Sequence, residues 1–209
     1  MPPVLTQHEQ RVLGCLLEKE VLTPEAYPMT LNSLRLACNQ KTSREPVMDL
    51  NESSVSVALN GLKGKNLLCA RTDARAIRYG HSLEKVAAFG SGQKAVVMLL
   101  LLRGPQTTGE LRGRSERMVE FQSPAEVEQA LESLAGYEGG PWAARHGRRS
   151  GEKETRWAHC LDGGVPNEEV AVLEAGDRLA ELEARVIRLE GDVATLMAQR
   201  GDPRTPSRF

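Results

Sequence analysis

Apolar positions along the chain form short helical stripes that come in two matching sets. In the first set Val12, Leu13, Leu16 and Leu17 share one helix face. They follow Thr6-x-x-Glu9, a capping box in which threonine and glutamate satisfy each other's backbone amides. Pro24 and Pro28 break the chain, and Thr30 caps a short helix carrying Leu31, Leu34 and Ala37. A polar loop spans 39–51. Asn51 caps a third helix, with Leu50 and Val55 as a hydrophobic staple and Val55, Ala58, Leu59 and Leu62 as its inward stripe. Residues 67–71 and 76–81 then read as two strands around the turn 72–75.

The second set repeats that order. Residues 93–103 form an apolar helix, and Thr107-x-x-Glu110 opens a short helix with Leu111. Ser123, Pro124 and Glu126 supply cap, first-position proline and box glutamate for a helix burying Val127, Ala130, Leu131 and Leu134. Residues 142–145 and 155–161 read as strands around a long Gly- and Arg-rich turn. Three helices and a hairpin, twice, is the layout of a winged helix-turn-helix in tandem, with Gly90-Ser91-Gly92 as a natural hinge.

Beyond the breaker Gly163-Gly164-Val165-Pro166 the pattern becomes heptad. Val172, Leu179, Val186 and Val193 fall on one position; Ala175, Leu182, Leu189 and Leu196 fall three residues later. Valine at the first position with leucine at the second favours two parallel strands. Arg178 would then face Glu183 of the partner subunit, and Arg185 would face Glu190 of the partner subunit. The alternative is a single amphipathic helix packed on its own chain. The predicted fold class is mainly α with small β-hairpins (α+β): two tandem winged helix-turn-helix domains, 1–89 and 90–163, a coiled-coil helix over 164–200 and a disordered tail over 201–209. The dimerisation residues are Val172, Leu179, Leu182, Val186, Leu189, Val193 and Leu196.

Composition narrows the class without naming a task. The 209 residues carry 27 Lys+Arg against 28 Asp+Glu, and aromatics are only 4%, so the cores are aliphatic. The longest strongly apolar run, 95–102, is far short of the about 20 residues that cross a bilayer. The start MPPVLTQHEQ lacks the basic and apolar stretches of a signal peptide. The expectation is a cytoplasmic protein with no membrane segment. Cys15, Cys38, Cys69 and Cys160 form no CxxC pair and sit among apolar neighbours, so they read as small core residues with no metal site.

The stretch Leu13-Gly14-Cys15-Leu16-Leu17-Glu18-Lys19-Glu20, then Tyr27-Pro28, then 37–47 (ACNQKTSREPV), resembles the YceH-like family of bacterial proteins. Leu102-Arg103-Gly104-Pro105-Gln106-Thr107 extends the likeness, which covers about residues 5–162. The family pattern tends to have Ser-Asn or Ser-Ser where this chain has Thr42-Ser43. The resemblance implies two winged-helix domains in tandem. It implies no activity and no catalytic residues, the family being of unknown function.

Signals for catalysis are weak. Gly61-x-x-Gly64-Lys65 has two residues between its glycines where a phosphate loop needs four, and Asn66 follows in place of Ser or Thr. It also falls at a helix C-terminus, where the dipole disfavours phosphate. His8, His81, His146 and His159 have no metal spacing, and Glu18/Glu20 and Glu168/Glu169 read as solvated helix surface. The chain is expected to be no enzyme and to need no cofactor.

Charge is uneven within the units. The first hairpin gathers Arg71, Arg75 and Arg78; the second turn gathers Arg145, Arg148, Arg149, Lys153 and Arg156. Basic wings suit phosphate contact, which adds affinity without sequence information. The third helix of the second unit argues against a groove, because Glu126, Glu128 and Glu132 would meet phosphates. The third helix of the first unit presents Ser53, Ser56, Val57, Asn60 and Gly64, and Ser and Asn can bond to base edges. The loop 39–51 is far longer than the usual about three or four residues of a helix-turn-helix. Lys41 and Arg44 are its basic members, and it reads either as a recognition surface or as a packed connector. The leading expectation is a DNA-binding, transcription-regulator-like dimer. The alternative is a protein-binding adaptor, as tandem winged helices are in the accessory subunits of bacterial condensins.

Overall fold

Local caps set the helix starts. In a computed structural model describing residues 1–73, 76–146 and 154–163, with Arg185, Val186, Leu189 and Glu190, helix α1 spans Gln7–Leu22. Thr6 N–H donates to Glu9 Oε2 at 2.7 Å and Glu9 N–H to Thr6 Oγ1 at 3.3 Å, which closes the box. Helices α2 (Leu31–Cys38) and α3 (Glu52–Gly64) begin at Thr30 and Asn51, whose side chains accept from Ser33 N–H and Ser54 N–H. Helix α4 (Ser91–Arg103) starts at Gly90, whose N–H donates to Gln93 Oε1 at 2.9 Å. Helix α5 (Thr108–Ser115) has the full Thr107/Glu110 box. Helix α6 (Pro124–Ala135) is capped by Ser123, but Glu126 reaches one residue further back, to Gln122 N–H at 2.9 Å.

The strands complete an α+β chain in which the order helix, helix, helix, hairpin occurs twice. In the first half β1 (Met29–Thr30), β2 (Leu68–Thr72) and β3 (Ile77–His81) form an antiparallel sheet in the order β1-β3-β2. In the second half β4 (Ala143–His146) pairs antiparallel with β5 (Arg156–His159). Gln106 bridges to Trp157 there, through N–H···O=C bonds of 3.0 and 2.8 Å in the two directions. The segment before Thr107 thus does in the second half what β1 does before Thr30. Neither pairing is visible in the hydrophobic pattern, since one or two residues are too few to show alternation.

One aliphatic core runs through both halves. Gly14 of α1 lies so close to α4 that a Cβ there would stand 2.8 Å from Leu102 Cδ2. Leu5 N–H donates to Leu161 O at 2.6 Å and Glu45 N–H to Leu102 O at 2.8 Å, so backbone bonds also cross between the halves. Phe89 packs edge-on against Tyr137 and Trp142, at ring distances of 5.0 and 4.9 Å. Met1–Pro166 is accordingly one compact unit, and Asn167–Phe209 is a second. In that second unit Arg185, Val186, Leu189 and Glu190 are helical and exposed. Val172, Leu179, Leu182, Val193 and Leu196 lie outside the described residues. No described helix is long and apolar enough to cross a membrane.

Candidate nucleic-acid interface

Helix α3 turns Val55, Ala58, Leu59 and Leu62 into the core, which leaves its opposite side to solvent. Ser53, Val57, Asn60 and Gly64 are exposed and Ser56 is partly so; Val57 stands 68% accessible. The middle of this face carries no charge. It offers two hydroxyls, one carboxamide and an aliphatic pair of methyls.

The hairpin β2–β3 puts Arg71 directly across from Arg78, so the two point to the same side of the sheet. Arg78 is engaged: Nη1 donates to Pro28 O at 3.1 Å and Nε lies 3.5 Å from Asp73 Oδ2. Arg71 is exposed, and its side chain has no hydrogen-bond or ion-pair partner among the described residues. Arg75 lies outside those residues.

In the second half Arg145 is held by α6. Its Nη2 donates to Glu128 Oε1 at 2.8 Å and to Glu132 Oε1 at 2.6 Å, and its guanidinium lies over the Trp157 ring, 4.9 Å from the centroid. Two of the three carboxylates that make α6 acidic are thus partners of the hairpin beside it. Arg156 is similarly occupied, by Glu110 Oε2 at 2.8 Å and Pro105 O at 3.0 Å. Two arginines and the Thr107 amide hold Glu110 below the usual carboxylate range against the upward push of burial. Arg148 and Arg149 lie outside the described residues.

The loop 39–51 corrects the expectation for Arg44. Lys41 is exposed, but Arg44 is buried, with 5% of its surface accessible. Its guanidinium grips Glu18 of α1 in a fork, Nη1 to Oε1 at 2.9 Å and Nη2 to Oε2 at 2.6 Å. Nε donates to Ala37 O at 3.1 Å, and further bonds reach Ser43 O and Gln40 Oε1. An arginine this deep persists because every face of its head finds an acceptor. Burial pushes the Glu18 carboxyl up, yet the Arg44 fork and its charge hold it below its ordinary value. Two more ties fix the loop. Arg11 donates to Cys38 O at 3.0 Å and Pro46 O at 2.6 Å, and Asn39 clasps Leu50 with two 2.8 Å bonds.

Arg11 and Glu18 carry no sequence signal of this role: on paper they are ordinary charges in an amphipathic helix. The glycine-lysine pair also finds its reason here. A Cβ on Gly61 would come 1.9 Å from Glu9 Oε1, and Lys65 Nζ pairs with that same oxygen. Cys15, Cys38 and Cys160 are buried and Cys69 is half-buried. A hydrogen bond to Cys15, together with burial, pushes the Cys38 thiol far up. Among the described residues no group of His, Cys, Asp and Glu is placed to hold a metal ion.

Residues 5–152 match the model of a family described as "Protein of unknown function, DUF480". A UPF0502 protein of Geobacter sulfurreducens is 49% identical over 202 residues, covering 94% of this chain and 91% of its own length. One from Klebsiella pneumoniae is 46% identical over 203 residues, covering 93% and 94%. One from Yersinia pseudotuberculosis is 46% identical over 184 residues, covering 86% and 79%.

Proposed function

The chain belongs to the DUF480 family, and from that premise and the geometry above we propose that it is a non-enzymatic, transcription-regulator-like protein that binds duplex DNA. In this reading each half is a winged helix-turn-helix and the protein is a cytoplasmic parallel homodimer, joined by a coiled coil over 164–200. The observation that carries the reading is the outward side of α3, exposed and uncharged in its middle, in the half whose hairpin bears Arg71, exposed and with no partner among the described residues. Ser53, Ser56 and Asn60 would read base edges, and Val57 would meet a thymine methyl. Arg71 and the turn residues Arg75, Arg148 and Arg149 would hold phosphates. Val186 and Leu189, on the heptad seam, are 52% and 55% accessible in the single chain, which suits a second copy.

A second reading, the protein-binding adaptor, draws on Arg145. With that side chain committed to Glu128 and Glu132, a basic face shared by both hairpins loses a member. Titrating a labelled random duplex at two salt concentrations separates the readings. DNA binding predicts a log–log salt slope near −0.9Z with Z of about 4–8 per dimer. Exchanging Arg148 and Arg149 for Glu weakens every duplex alike, whereas Ser56→Ala with Asn60→Ala narrows the gap between preferred and random sequences. Affinity no tighter than about 10⁻⁴ M at physiological salt, unmoved by the arginine reversal, sinks the DNA reading and leaves the adaptor.

A further inference from the structure

A cavity of about 300 Å³ opens between the last turns of α1 and the first turns of α4. Leu17, Phe89, Met98 and Met118 give it an apolar wall, and Glu20 and Lys94 are its two charged members. The volume sits at the lower end of the about 300–1,000 Å³ range of small-molecule pockets. Two methionines suit an occupant of irregular outline, because the thioether chain is unbranched and polarizable.

The two charges are not equivalent. Glu20 is occupied: its Oε2 lies 2.7 Å from His81 Nε2. His81 Nδ1 lies 3.2 Å from Leu83 N and 3.5 Å from Glu84 Oε2, so both ring nitrogens are engaged. Lys94 is only partly exposed, and its ammonium has no hydrogen-bond or ion-pair partner among the described residues. An apolar chamber beside a single uncommitted cation is complementary to a molecule with an apolar body and one negative charge. A dianion such as a phosphate ester fits poorly, since one ammonium faces it and the Glu20 carboxylate is close by. A neutral hydrocarbon leaves Lys94 without a partner.

We propose that this cavity binds a small monocarboxylate amphiphile, an aromatic or medium-chain acid, with its apolar body against Leu17, Phe89, Met98 and Met118 and its carboxylate on Lys94. The site stands apart from the DNA reading and does not depend on it. Its walls come from both halves, α1 from the first and α4 with Met118 from the second, so an occupant acts on the packing that joins them. Phe89 also carries the effect onward, because its ring meets Trp142 edge-on at 4.9 Å.

The test uses the full chain with ¹³C-methyl methionine and three probes of equal length: decanoate, decan-1-ol and decylammonium. Decanoate is expected to shift the Met98 and Met118 methyl resonances saturably, with Kd of about 10–100 μM. Decylammonium should bind at least about tenfold more weakly. Lys94→Met should weaken decanoate about tenfold and leave decan-1-ol within about twofold. Val21→Trp narrows the cavity from an exposed position, 48% accessible, and should weaken all three probes without unfolding the protein. No saturable shift up to about 1 mM decanoate overturns the site. Equal affinity for decanoate and decan-1-ol overturns the carboxylate. Methyl shifts that follow protein concentration without any probe mean that a second copy fills the cavity, and overturn the small-molecule assignment.

Discussion

The two halves follow one order of elements and differ in what their third helices do with charge. Helix α3 keeps its outward side neutral, and the hairpin beside it leaves Arg71 without a partner among the described residues. Helix α6 carries Glu128 and Glu132, and the hairpin beside it sends Arg145 back to both. The same scaffold is thus open in one copy and closed on itself in the other. The loops before these helices differ in the same sense. In the second half Arg112 holds the loop from outside, donating to Phe121 O and Gln122 O at 3.2 Å each. In the first half Arg44 holds it from inside, through a buried fork on Glu18. A repeated backbone plan therefore does not imply a repeated surface.

The largest expected effect comes from breaking the buried hold. Arg44→Met takes the fork from buried Glu18 and leaves it the Lys19 ammonium, 3.2 Å from Oε2, and should lower stability by as much as about 3–5 kcal/mol in urea unfolding. Arg112→Ala removes partly exposed bonds to carbonyls and should cost no more than about 1 kcal/mol. Equal losses would erase the distinction between the two loops.

The same hold predicts an acid response. Glu9, Glu18 and Glu110 all titrate below their ordinary value of 4.5 in the folded chain. Lowered carboxyl values stabilise the fold above the unfolded-state value, and that stability drains away as pH falls through the folded-state values. Unfolding free energy should therefore decline below about pH 4.5, followed by circular dichroism at fixed urea. A flat response there would remove the charged pairs from the account.

A smaller effect sharpens the contrast between joined and free surfaces. Gly14→Ala drives a methyl into Leu102 and should cost about 1–3 kcal/mol by overpacking. Gly64→Ala meets nothing within 4 Å and should be neutral, or stabilising by up to about 1 kcal/mol. The smallest stability change belongs to Glu128→Gln with Glu132→Gln. That pair of exchanges removes two carboxylate charges from beside Arg145 at a cost of about 0–1 kcal/mol, the ordinary value of exposed ion pairs. If the halves differ only by this closure, the double variant should bind duplex DNA more tightly than the wild type; unchanged binding would place the difference elsewhere.

Helix starts were legible because a cap is a local code: Thr6, Thr30, Asn51, Thr107 and Ser123 each act within three residues of themselves. The inward stripes were legible for the same reason. Charge roles were not. Arg44 looks like a solvated loop residue until Glu18, 26 positions away, arrives beside it. Glu128 and Glu132 look repulsive toward a polyanion until Arg145, 17 and 13 positions on, is seen to pair with both and offset part of their charge. Gly61 reads as a fragment of a phosphate loop until Glu9, on another helix, fills the space it leaves. Hydrophobic periodicity reports which side of an element is buried; it says nothing of which charge will meet it there.

The close seating of Gly14 against Leu101 and Leu102 has a consequence for the protein during its synthesis. The side of α1 that meets α4 leaves the ribosome long before α4 does. Until Arg103 has emerged, the nascent chain carries that apolar side bare, a surface of the kind that chaperones shield and proteases find. A ribosome stalled within the first half therefore yields a product that carries the mark of its own incompleteness.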